Sequence, residues 1–155
     1  MITSKELREG ITAILKENFP DYKIYFTNNG NANENYFYVE MTFKKKTVDR
    51  VYYDRVIGVE LVLVLMPDAR GRVSRSAMQN AADMLDGAIL PCVYVGDRAI
   101  TVLETRSRIV DETLHYFFDL DFTDFMPEKE MDIGEELDFR LSFFGSSKDY
   151  LTEGE

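Results

Sequence analysis

The period of the hydrophobic positions changes several times along the chain, and each change marks an element. Leu7, Ile11, Ile14 and Leu15 recur at helical spacing. Ahead of them, Thr3 and Glu6 have the spacing of a capping box, and Ile2 and Leu7 that of a hydrophobic staple. A helix is predicted over roughly 4–18, with Pro20 enforcing its stop and Gly10 costing it about 1 kcal/mol relative to alanine. Asp21 to Thr27 predicts a short strand, and the Asn-rich stretch 28–35 a polar loop with an Asn29-Gly30 turn. From Tyr36 to Met66 the period becomes two. Phe37, Val39, Met41 and Phe43 alternate with Tyr38, Glu40 and Thr42, and Ile57, Val59, Leu61, Leu63 and Leu65 form a second set. Two long strands are predicted. The polar segment from Lys44 to Arg50 between them is expected as the outer end of a hairpin projecting beyond the body, its basic tip facing solvent or a partner.

Beyond Pro67, Arg70, Arg72 and Arg75 cluster around Gly71 in a predicted loop. Ser74 or Ser76 can cap a second helix, roughly 75–89, whose apolar stripe is Ala77, Met78, Ala81, Leu85, Ala88 and Ile89. Cys92–Val95 and Arg98–Val110 read as extended, separated by a Gly96-Asp97 turn. Asp111-Glu112 then reverses the chain into a strand with Leu114, Tyr116, Phe118, Leu120 and Phe122 on one face and His115, Phe117, Asp119, Asp121 and Thr123 on the other. After Pro127, acids mix with Ile133, Leu137, Phe139, Leu141, Phe143 and Phe144, neither period dominates, and an extended arm is expected. The order of helix, three strands, helix, three strands and tail predicts an α+β fold: a mainly antiparallel sheet of about five to six strands with two helices on one face, plus an acidic C-terminal extension. One domain over 1–125 and an extension over 126–155 are expected.

Composition narrows the class. A chain of 155 residues, 45% hydrophobic and 30% charged, suits one domain with one core and excludes wholesale disorder and disulfide scaffolds. The single cysteine, Cys92, excludes an internal disulfide and a cysteine-based zinc cluster, which favours a reducing compartment. No apolar run approaches a membrane span and the opening residues lack the apolar core of a signal peptide, so assembly in the cytoplasm is expected. The charge of −10 is unevenly placed: residues 1–110 carry 15 basic and 14 acidic side chains, residues 111–155 carry 3 and 14. The two parts are therefore +1 and −11. An acidic tail repels phosphate and anionic lipid, which argues against general nucleic-acid or membrane binding unless a basic face elsewhere opposes it.

Candidate chemistry is sparse. Asp119-Leu120-Asp121-Phe122-Thr123 matches the D-x-D-x-T nucleophile motif of haloacid dehalogenase-like phosphatases, but that chemistry needs the motif early in a parallel sheet with a lysine and further acids downstream, and only 32 residues follow Thr123. Both aspartates are expected on the solvent face of a strand. His115, the only histidine, has no second histidine for a metal site or relay, and nothing in the spacing brings it to Ser107 or Cys92. Cys92 reads as a small buried hydrophobe. With no phosphate-binding or zinc-protease motif, no catalytic residue, cofactor or metal site is assigned and no enzyme is expected. Lys44, Lys45 and Lys46 with Arg50, Arg55, Phe43, Tyr52 and Tyr53 leave three alternatives: a solvated hairpin end, a stacking and phosphate-contacting surface for single-stranded nucleic acid, or a basic surface that meets the acidic tail of another copy or a partner.

Several segments taken together resemble a known family. These are the opening helix running into Phe19-Pro20-Asp21-Tyr22-Lys23-Ile24-Tyr25, then Val95-Gly96-Asp97-Arg98, Ile109-Val110-Asp111, and Leu114 to Phe122. Over residues 1–125 the arrangement resembles the bacteriophage tail-terminator, or tail-completion, family of contractile and long tails and tail-like particles. The resemblance implies a structural virion protein forming a homo-oligomeric ring, expected to be hexameric, at the head-proximal end of the tail. Such a ring caps the tail tube protein, ends tail polymerisation and provides the head-tail joining surface. Its implied partners are the tube, the head-tail connector and, in a contractile particle, the sheath protein. DNA is met only as passing genome, and acidic groups facing the lumen would limit its sticking. For this chain the +1/−11 division suggests an assembly interface with Lys44, Lys45, Lys46, Arg50, Arg55, Arg70, Arg72 and Arg75 on one side and Asp132, Glu135, Glu136 and Asp138 on the other.

Overall fold

Thr3 begins the first helix as its spacing requires. Its hydroxyl accepts the Glu6 N–H at 3.1 Å, and the Glu6 carboxylate accepts the Thr3 N–H at 2.9 Å. The computed structural model describes residues 1–27 and 33–126. Their order is α1 (Ser4–Asn18), β1 (Lys23–Tyr25), β2 (Tyr36–Thr47), β3 (Tyr52–Val64), α2 (Arg75–Ile89), β4 (Cys92–Val95), β5 (Arg98–Thr101), β6 (Thr105–Val110) and β7 (Thr113–Phe125). Ser74, the first of the two candidate serines, caps α2 by accepting the Ala77 N–H.

Five strands form one sheet in the order β1-β2-β3-β7-β6, antiparallel except for the parallel β1–β2 pair. The α+β expectation holds. β1 is shorter than the predicted 21–27 because only three of its residues pair, Lys23 to Tyr25 against Tyr36 to Tyr38. The stretch from Arg98 to Val110 divides into β5 and β6, and β4 with β5 forms a separate two-stranded hairpin. At the β6–β7 turn Asp111 and Glu112 both have positive φ, the geometry of a tight two-residue connection whose twist matches the strands it joins.

Lys44, Lys45 and Lys46 lie within β2, not in a loop, and the turn is confined to 48–51, where the Asp49 carboxylate accepts the Val51 and Tyr52 N–H groups at 2.8 Å each. Nor does the β2–β3 hairpin project as a free ribbon. β7 is as long as β3 and accompanies it to the end, with Tyr52 opposite Phe125, so the basic stretch is the edge of a three-stranded sheet.

One face of the sheet carries the core. Phe37, Val39, Ile57, Val59, Leu61, Leu63, Leu114, Tyr116, Phe118 and Leu120 meet Leu7, Ile11 and Leu15 of α1, Met78, Leu85 and Ile89 of α2, and Val93, Val95 and Ile100 of the small hairpin. Gly10 belongs to this packing. A Cβ there would stand 2.9 Å from the Tyr94 carbonyl oxygen, so the residue that weakens the helix lets β4 approach it.

Two charges lie in the apolar phase of their strands and are buried with it: Arg55, 4% exposed, and Asp124, 1% exposed. Arg55 Nη1 lies 3.2 Å from Asp124 Oδ2 and donates to the Ile2 carbonyl at 2.6 Å, while the Ile2 N–H donates to the same carboxylate at 2.9 Å. The pair thereby pins the chain ahead of α1 to the start of β3 and the end of β7. Burial pushes the Asp124 carboxyl up, but the Ile2 and Phe125 N–H groups, Arg55 and the terminal amine more than reverse this, leaving it below its ordinary value.

Two consequences are measurable by urea unfolding. Gly10→Ala will lower stability by about 1 kcal/mol in spite of its better helix propensity, because overpacking against Tyr94 outweighs the propensity gain; a stabilised variant would contradict the close-approach account. Asp124→Asn will cost about 3 kcal/mol at neutral pH by leaving Arg55 buried without its counter-charge. A carboxyl with a lowered folded pKa stabilises above its unfolded value, about 4, and loses that contribution as pH falls through the folded value. The stability difference between wild type and Asp124→Asn will therefore shrink below about pH 4.

Candidate functional site

The outer edge of β2 is the feature the rest of the sheet leaves unused. β1 pairs with it only at Tyr36–Tyr38, and no described strand pairs with it from Val39 to Thr47. The corresponding stretch of β7, past the end of β6 at Phe118, is treated differently. There Arg98 of β5 donates to the Thr123 carbonyl at 3.0 Å, approaches Asp124 at 3.6 Å and stacks over the Phe122 ring.

Side chains along the open β2 edge alternate between the two faces. Phe43, on the helix side, is 51% exposed although its cross-strand neighbour Ile57 is fully buried. Lys45 shares that side and lies over the Tyr53 ring at 5.1 Å, directly opposite Arg55. On the other side Lys44 and Lys46 make no ion pair among the described residues, and Glu40 stands directly opposite Glu60. Glu60 is matched by His115, whose Nδ1 lies 2.8 Å away, but Glu40 is met by the Tyr38 hydroxyl alone among the described residues. Val48, Val51, Tyr52, Phe125 and Met126 stand in solvent at the same end, so it is apolar as well as basic. The Tyr53 hydroxyl is buried there without a partner among the described residues.

Of the residues singled out from the sequence, Lys44, Lys45, Lys46 and Arg50 come together at this end. Arg55 does not offer its charge to the surface, being engaged with Asp124 and Ile2 inside the domain. Arg70, Arg72 and Arg75 lie beyond Val64, at the opposite end of β3 some 40 Å away. There the Asp68 carboxylate accepts the Arg70 and Arg72 N–H groups, and Arg75 opens α2 near Arg108. The structure does not bring the two basic groups together. Asp132, Glu135, Glu136 and Asp138 lie outside the described residues.

Alternation also bears on the nucleic-acid alternative. Phe43, Lys45, Tyr53 and Arg55 face one way, Lys44, Lys46 and Tyr52 the other, and two of the set are buried. They form no single stacking platform, and the face shared by Lys44 and Lys46 also carries Glu40, Asp54, Glu60, Asp119 and Asp121.

The remaining candidates separate in the same way. Asp119 and Asp121 are exposed on β7 inside an antiparallel sheet, unlike the parallel setting of the phosphatase motif, and border an open groove of about 460 Å³ with Thr101, Leu103 and Glu104. His115 faces Glu60 and stacks on Phe117, while Ser107 turns to the opposite face beside Tyr116. Cys92 is half-buried at the start of β4 instead of fully enclosed, because it opens the small hairpin at the surface. Among the described residues no cluster of three potential ligands could hold a metal ion, and no helix is long and apolar enough to cross a membrane. Reasoning from the sequence missed the exposed apolar residues of the hairpin end. Phe125-Met126-Pro127, which breaks the alternation of β7, was their one visible signal.

No curated protein matches the sequence. A family model described as phage tail terminator protein matches residues 6–132, from the first turn of α1 past the end of β7. With well over half of the chain inside that match, from Glu6 of α1 through all of β7, the chain belongs to the phage tail terminator protein family.

Proposed function

We propose that the protein closes into a ring, of six subunits, which caps the head-proximal end of the tail tube, stops tail polymerisation and presents the surface to which the head joins. Its family is one of structural tail proteins, which places it in the virion tail in association with other tail components. The observation that carries the ring is the open, basic and apolar end of the sheet. An exposed strand edge is a template for another chain, and a head-to-tail contact between two unlike surfaces closes into a ring when the rotation between subunits allows it. β2 and the 48–51 turn supply one surface of this contact, with Lys44, Lys45, Lys46 and Arg50 as its charge. The acidic extension of a neighbouring copy, with Asp132, Glu135, Glu136 and Asp138, supplies the other. Arg70, Arg72 and Arg75, at the far end of the subunit, are left for a different contact, with the tube, the connector or, in a contractile particle, the sheath. The nucleic-acid alternative loses ground because its cations and aromatics alternate between faces.

Replacing Lys44, Lys45 and Lys46 together by glutamate will raise the concentration needed for assembly by about a hundred-fold or more, since like charges then face one another across the contact. The subunit will keep its fold, all three side chains being exposed. Sedimentation with negative-stain imaging reads the first expectation and circular dichroism the second. Rings formed normally by the variant would overturn this assignment of the surface, and tight oligonucleotide binding by the wild type, lost in the variant, would favour the nucleic-acid reading.

A further inference from the structure

We infer that residues 135–141 of one subunit add to the open edge of β2 in the next subunit as an antiparallel strand, with Glu135 opposite Lys45 and Leu141 opposite Val39. The inference rests on the ring reading, because it takes the neighbour as the acceptor, and it specifies how the acidic extension and the basic edge would meet.

Residues 127–155 carry nine acidic and three basic side chains, and within them Leu137, Phe139 and Leu141 alternate with Asp138 and Arg140. Only one antiparallel register satisfies every class of group on the β2 edge. It sets Leu137 beside Phe43, Phe139 beside Met41 and Leu141 beside Val39, extending the core face over a phenylalanine that now stands half in water. In the same register Glu135 meets Lys45, which otherwise faces the like charge of Arg55, and Glu136 meets Lys44. Arg140 meets Glu40, the carboxylate that stands opposite Glu60 and makes no ion pair among the described residues. Slipping by two residues in either direction separates Arg140 from Glu40; one slip sets Leu137 against Lys45, and the other sets Glu135 against Phe43 and Leu141 against Phe37, whose edge β1 already occupies. The added strand ends at Val39, where β1 takes over the edge at Tyr38, so the two together would pair β2 almost throughout.

The path is long enough. β7 delivers the chain to Met126, whose N–H donates to the Val51 carbonyl at the hairpin turn, the end of the sheet where Lys45 lies. The eight residues 127–134 span up to about 27 Å, several strand spacings, enough to reach a subunit abutting that end as the ring reading requires. Backbone pairing would supply affinity, and the alternating side chains the register.

The test uses the full chain with Cys92→Ser, so that introduced thiols are the only ones. Thr42→Cys and Asp138→Cys fall opposite each other in the proposed register, at a separation a disulfide can bridge. Mild oxidation of the double variant should give a covalent ladder up to the ring, and mixing the two single variants should give cross-linked dimers. A companion pair checks the fit without thiols: Arg140→Glu should weaken assembly about ten-fold by opposing Glu40, and adding Glu40→Arg should restore it. An internal disulfide within one chain would overturn the assignment to the neighbour. Rings that form by imaging but give no cross-link and no charge-swap rescue would overturn the added strand while leaving the ring intact. Absence of both rings and cross-links would overturn both.

Discussion

Everything in this domain is referred to β3. It is paired along its whole length on both sides, with β2 through twelve residue pairs from Tyr36–Val64 to Thr47–Tyr53, and with β7 from Tyr52–Phe125 to Leu63–Leu114. Side chains on a strand alternate with period two, so a slip of one residue on either side would turn a complete apolar row to solvent. That constraint holds Phe37, Val39, Ile57, Val59, Leu61, Leu63, Leu114, Tyr116, Phe118, Leu120 and Phe122 on one side, and α1, α2 and the β4–β5 hairpin cover them. It also dictates where the two buried charges fall. Arg55 and Asp124 occupy the apolar phase near the start of β3 and the end of β7, and their mutual contact together with Ile2 makes their burial tolerable.

Much of this was legible in the residues themselves. The Thr3/Glu6 capping box and Pro20 bounded α1 to the residue, and Ser74 did the same for α2, because caps and breakers act locally. Period two located β2, β3 and β7. The charge at Asp124 could have been found by continuing Leu114, Tyr116, Phe118, Leu120, Phe122 one step further, since an acid in that phase must be paired. Less visible was anything set by partners remote in sequence. β1 stops where its pairing with β2 stops, β5 parts from β6 because it pairs with β4 instead, and the basic stretch fails to project because β7 is as long as β3. Composition could group Arg55 with Lys44–Lys46 and Arg70–Arg75, but only the tertiary structure separates one buried cation from two clusters at opposite ends of a strand.

The domain completes its core and leaves β2 incomplete. Among the described residues, five strands, two helices and a small hairpin satisfy the apolar face, yet the backbone groups of Val39 to Thr47 that point away from β3 have no strand to meet. Proteins that work alone blunt such an edge, and lysines do so here by discouraging indiscriminate pairing. In the proposed assembly the same lysines would select for a partner carrying acids, which the sequence supplies after residue 126. In the ring proposed for this member of the phage tail terminator family, the subunit would use that open edge for assembly.

That claim is tested most directly by hydrogen exchange at the β2 amides of residues 39–47, compared between dilute subunit and assembled protein. The account predicts that amides facing away from β3 exchange rapidly in the subunit and become strongly protected on assembly, while those of β3 are protected in both. Equal exchange at 39–47 in the two states would contradict it.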